Sequence, residues 1–109
     1  MSSPFRELAE LDRTLHAPPR LAILTVLLGC QQADFTFLLT ATGLTKGNLA
    51  SNLTTLEAAG LIESQKELHG SRPRTNYWLT SKGREATESH WESLERLKRQ
   101  SRVMPVPAT

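Results

Sequence analysis

Cysteine is almost missing from this 109-residue chain: Cys30 stands alone, so no internal disulfide can form and a reducing, cytoplasmic setting is expected. No apolar run approaches the ~20 residues that a membrane-crossing helix needs. The opening MSSPFRELAELDR has neither the basic start nor the apolar middle of a signal peptide. The three histidines, at 16, 69 and 90, lack metal-ligand spacing, and there is no glycine-rich phosphate loop. Cys30 closes the most apolar segment, where a structural thiol is the default. These absences exclude the common catalytic, metal and cofactor chemistries, and the chain is not expected to be an enzyme. Charge of one sign is also scarce, with a formal net charge of only +2.

The distribution of charge is more informative. Between Leu44 and Arg84 lie Lys46, Lys66, Arg72, Arg74, Lys82 and Arg84, against Glu57, Glu63 and Glu67. The middle of the chain therefore holds an excess of three cations and the flanks are close to neutral. Within it, the stretch TKGNLASNLTTLEAAG, residues 45–60, has Leu49, Leu53 and Leu56 on one helical stripe. Its other face carries Thr45, Lys46, Asn48, Ser51, Asn52 and Thr55, with no carboxylate before Glu57. Asn, Ser and Thr are mediocre helix formers. Such short groups, able to donate and accept, match the edges of base pairs, and missing carboxylates avoid repulsion from phosphates.

In chain order, Ser3-Pro4 predicts the start of a first helix with Phe5, Leu8, Leu11 and Leu15 on one narrow stripe, ending near His16. Pro18-Pro19 breaks it. Arg20–Leu28 is apolar nearly all round and predicts a buried central helix. Asp34 caps a short third helix, Gly43 ends it, and Thr45 caps the fourth after a turn of three or four residues. Gly60 closes that helix, with Leu61 placed to touch Leu56. LIESQKEL and TNYWLT predict two strands, the second with Tyr77 and Leu79 on one face. HGSRPR between them reads as a basic loop longer than a minimal hairpin turn. Thr80 caps a last helix running to about Arg102, on which Ala86, His90, Leu94 and Leu97, with Trp91 beside them, form a thin seam. Residues 1–102 are expected to be one domain and 103–109 a disordered tail.

The stretches LDRTLHAPPRLAILTVL, LTKGNLASNLTTLEAAGLIE and RPRTNYWLTSKGREA resemble the winged helix-turn-helix transcriptional regulators, closest to the small MarR-like and ArsR-like repressors. The resemblance implies a mainly helical α+β fold in the order helix-helix-helix-helix-strand-strand-helix. It implies a homodimeric repressor on a palindromic double-stranded operator, with residues 45–59 in the major groove. Carried over by position, Lys46, Asn48, Ser51 and Asn52 face DNA, while Arg72 and Arg74 form a basic wing tip on the backbone or minor groove. A cysteine pair of the kind used by ArsR-like metal sensors is lacking. Two other readings stay open: a protein–protein adaptor, and a regulator switched by a ligand or by Cys30 oxidation.

The terminal helices carry the last expectation. Phe5, Leu8, Leu11 and Leu15 on one, and His90, Trp91, Leu94 and Leu97 on the other, exceed what so small a core covers. Burying both stripes across a two-fold axis would make the dimer.

Overall fold

A computed structural model describes residues 12–103, with side chains to residue 101. Phe5, Leu8 and Leu11 lie outside the described residues. Asp12 accepts from the Thr14 N–H and caps a single helical turn, α1 (Arg13–His16). The two prolines then open α2 (Pro18–Leu28), where a missing N–H costs no helical bond. A two-residue strand, β1 (Ala33–Asp34), precedes α3 (Phe35–Thr42) and α4 (Lys46–Ala58). The strands β2 (Ile62–His69) and β3 (Arg72–Leu79) lead into the long α5 (Ser81–Val103).

The helix boundaries follow the expected caps. Asp34 Oδ1 accepts from the Phe37 N–H at 2.7 Å and Thr45 Oγ1 from the Asn48 N–H at 3.2 Å. Gly43, at φ 70°, ends α3 in the left-handed region. At the end of α4, the Leu61 N–H reaches Leu56 O and the Gly60 N–H reaches Glu57 O, both at 3.0 Å. With Gly60 at φ 76°, this is a Schellman closure, and its two apolar members, Leu56 and Leu61, are both buried.

The core joins Ile23, Leu24 and Leu27 of α2 to Leu38 of α3, Leu49, Leu53 and Leu56 of α4, Leu61 after it, and Ile62 of β2. Tyr77 and Leu79 of β3 pack against it, on the face their alternation predicts. The central helix is not covered all round. Leu21, Ala22 and Val26 are half-buried and Thr25 is exposed, so part of its apolar surface faces an open groove.

The sheet is antiparallel in the order β1-β3-β2, with Ala33 opposite Tyr77 and Asp34 opposite Asn76. β1 was absent from the sequence reading. The expected long loop at HGSRPR is also corrected. β2 and β3 pair without interruption to His69↔Arg72, leaving only Gly70-Ser71 as the turn. Gly70 has φ 69° and Ser71 a negative φ, the requirement of a two-residue turn with glycine first. Pro73 is tolerated because β1 covers β3 only at residues 76–77, which leaves the strand's outer edge open at residue 73.

One joint holds the two halves together. Three successive carbonyls after α4 are each met from the start of α5. Lys82 Nζ donates to Ala59 O at 3.1 Å, Thr80 Oγ1 to Gly60 O at 2.7 Å, and the Thr80 N–H to Leu61 O at 3.1 Å. Thr80 Oγ1 also accepts from the Gly83 N–H at 2.9 Å, capping α5. A Cβ built on Gly83 would overlap Leu61 O and lie 2.8 Å from the Leu61 carbonyl carbon. Glycine is therefore required by close approach of two backbones.

Candidate nucleic-acid interface

The leucines of α4 are buried, so its opposite face points outward with a polarity set by its residues. Lys46, Asn48 and Ser51 are exposed there. The first turn of α4 holds no acidic side chain. Its unpaired N–H groups and the helix dipole therefore present uncompensated positive potential. Glu57 stands at the far end and accepts from the Ser64 hydroxyl of β2.

The six expected contact residues of this helix divide into two sets. Lys46, Asn48 and Ser51 present their side chains to solvent. Thr45 spends its hydroxyl oxygen as the α4 cap, and Thr55 donates to Ser51 O at 3.2 Å. Asn52 departs most from the expectation. It is half-buried, and its Nδ2 donates to Asn48 O at 2.9 Å and to Asn48 Oδ1 at 2.7 Å. Its Oδ1 accepts from Arg20 Nε at 3.1 Å. Both donor hydrogens and one acceptor position are thus engaged within the protein, so Asn52 does not present its amide freely outward.

The two wing arginines are also unequal. Arg72 flanks the turn opposite His69 and is exposed, with no ion pair among the described residues. Arg74 sits one pair beyond Pro73, opposite Glu67, and its Nε lies 3.4 Å from Asp34 Oδ2. Asp34 therefore caps α3 with one oxygen and ties down the base of the wing with the other. A cleft of about 720 Å³ opens between wing and α3, lined by Phe35, Phe37, His69, Arg72 and Arg74 among others. Leu68, beside the turn, is 77% exposed. The sequence reading did not single out Leu68, Phe37 or Arg20.

The apolar seam of the last helix is partly closed within one chain, which leaves less of it open than the sequence suggests. Leu15 is 3% exposed and belongs to the core, and His90 and Leu97 are at 5% and 6%. His90 Nε2 lies 3.3 Å from His16 Nδ1, one ring donating and the other accepting. Burial, and then His16, hold the His90 imidazole below its ordinary pKa, with Asp12 opposing. Trp91 remains 38% exposed and Leu94 half-buried. The Trp91 indole N–H donates to Thr25 Oγ1 at 2.9 Å. Trp91 and Thr25, with His16, Pro18, Leu21, Ala22 and Val26, line an apolar groove of about 700 Å³.

Cys30 is half-buried after α2. Among the described residues, no three His, Cys, Asp or Glu side chains gather as a metal site. No helix there is long and apolar enough to cross a membrane.

Comparison with known proteins agrees with this geometry. The winged helix DNA-binding domain family matches residues 20–98. The structure of a transcriptional regulator homologue from Pyrococcus horikoshii superposes with a TM-score of 0.79 at 31% identity, covering 88% of this chain and 94% of that one. An uncharacterized protein of Methanocaldococcus jannaschii is 35% identical over 71 residues, which is 65% of this chain and 77% of its own. The fold extends to the PcaV transcriptional regulator of Streptomyces coelicolor, at TM-score 0.72 and 20% identity, covering 93% of this chain and 70% of that one. This chain belongs to the winged helix DNA-binding domain family of transcriptional regulators.

Proposed function

We propose that the protein is a homodimeric repressor that binds a palindromic double-stranded DNA operator in a sequence-specific manner. α4 enters the major groove and the wing follows the backbone or minor groove. The observation that carries this is the outer face of α4, where Lys46, Asn48 and Ser51 stand exposed at an N-terminus without acidic side chains. Lys46 and the helix N-terminus supply phosphate contacts, which position the protein, while Asn48 and Ser51 supply the short polar groups that distinguish bases. Arg72 adds a cation at the wing tip, able to reach a phosphate or a narrow A·T-rich minor groove.

The dimer is supported by Trp91, Leu94 and the groove on α2, an apolar surface that one chain leaves open. A two-fold axis through this region would set two copies of α4 one turn of DNA, ~34 Å, apart.

Selection from a random duplex pool tests the proposal directly. The expected result is an inverted repeat whose half-sites lie about one helical turn apart, bound with an affinity that falls steeply as salt rises. Recovery of no common sequence, together with salt-insensitive binding, would favour a protein-binding adaptor instead.

A further inference from the structure

Arg20 is the only lysine or arginine between Arg13 and Lys46. It occupies the first turn of α2, where the helix dipole disfavours a cation. Among the described residues it pairs with no carboxylate. Its Nε instead donates to Asn52 Oδ1 at 3.1 Å, across 32 residues of chain and from one helix to another.

The chemistry of the three side chains gives this contact a direction. A guanidinium only donates, so the Asn52 oxygen must be the atom that faces Arg20. The Asn52 amino group is then turned toward α4, where it meets acceptors only: Asn48 O at 2.9 Å and Asn48 Oδ1 at 2.7 Å. With its oxygen held by Asn52, Asn48 has its own amino group directed away from the relay. Asn48 is exposed, which leaves that group free to face outward.

We infer that Arg20 is a positioning residue for base recognition: through Asn52 it orients Asn48 to offer N–H donors to the DNA. This rests on the DNA-binding reading above and adds a base preference to it. Outward donors fit the acceptor edges of the major groove, and guanine alone presents two adjacent acceptors, N7 and O6. Bidentate pairing with adenine would place the N6 hydrogen and the Asn52 amide on the same Asn48 oxygen, using both of its lone pairs, whereas guanine asks only for the N–H donors that the relay leaves free. The base pair beneath Asn48 is therefore guanine-preferring, and the preference depends on a residue that need not touch the base.

The test uses the full chain and the operator recovered from the random pool. Each base pair is exchanged in turn, and 7-deazaguanine, which lacks the N7 acceptor, replaces the guanine at the position sensitive to Asn48→Ala. Wild type is expected to lose roughly tenfold in affinity on the 7-deaza duplex, within the range of one base contact. Arg20→Met, which keeps the stem but no donor, should reduce that difference to about threefold or less while retaining binding to random DNA. Arg20→Lys should restore part of it. Asn52→Ala cuts the relay at its half-buried middle without disturbing α2 and should reproduce the Arg20→Met profile even if that variant folds poorly. An unchanged base profile in Asn52→Ala overturns the inference. So does a uniform loss for Arg20→Met with a shallower salt slope, which would make Arg20 a plain phosphate contact. A preference for adenine beneath Asn48 would also overturn it. Failure of the wild type to select any sequence refutes the DNA-binding reading itself, which separates the two.

Discussion

Exchanging Gly83 for alanine tests the joint between α4 and the long α5. The added Cβ would overlap Leu61 O and sit 2.8 Å from the Leu61 carbonyl carbon, where ordinary contacts begin at 3.4 Å. Both obstacles are backbone, so no side-chain rotation relieves them. Overpacking of this kind costs about 1–3 kcal/mol. The retreat also stretches the two Thr80 bonds to Gly60 O and Leu61 O, each contributing roughly 1 kcal/mol. Alanine returns about 0.5–1 kcal/mol through its greater helix propensity. The net loss is then about 3 kcal/mol, a fall in Tm of roughly 10–20 °C for a domain of this size. Urea unfolding followed by circular dichroism, at fixed protein concentration, measures it as a lower midpoint with unchanged slope. Gly47 is the control: a Cβ there meets nothing within 4 Å, so Gly47→Ala should stabilise by about 0.5 kcal/mol. If Gly83→Ala is as stable as wild type, the close approach of α5 to Leu61 is not what requires glycine.

Arg72→Ala should lower the salt slope of operator binding by about one ion equivalent, and Arg74→Ala by less, because Asp34 already compensates Arg74. Equal slopes for the two variants in a fluorescence anisotropy titration would refute that distinction. Trp91→Glu combined with Leu94→Glu should give a folded monomer by sedimentation, with much weaker operator binding. A wild type already monomeric at micromolar concentration would exclude the dimer. His90, with its pKa lowered, binds its proton more weakly folded than unfolded. Its stabilising contribution is whole above the ordinary value of 6.5 and is lost as pH falls through the lower folded one. Tm should therefore drop from pH 7.5 to 5.5, and by less in His90→Gln.

What could be read from the sequence was whatever is decided within a few residues. Asp34, Thr45 and Thr80 cap the helices they precede, and Gly43 and Gly60 end helices where positive φ is needed. The buried stripe of Leu49, Leu53 and Leu56 followed from helical periodicity. Features set by distant partners were not legible. Ala33 and Asp34 are a strand only because Tyr77 and Asn76 lie opposite. HGSRPR reads as a basic loop longer than a minimal turn, yet β2 and β3 pair through it to His69↔Arg72, and an open edge at residue 73 admits the proline. Asn52 looked like an outward reader because no periodicity announces an arginine 32 residues earlier. Leu15 and Leu97 looked unmatched for the same reason: what covers them is tertiary.

The three carbonyls gripped at the start of α5 have a mechanical consequence. Ala59, Gly60 and Leu61 close off α4, and Thr80, Lys82 and Gly83 pack against them. α5 extends from that clamp for 23 residues, an arm of about 35 Å. A tilt of the arm would bear on the end of α4 through these contacts. Whatever grips the far end of α5 would thereby have a lever on the orientation of α4.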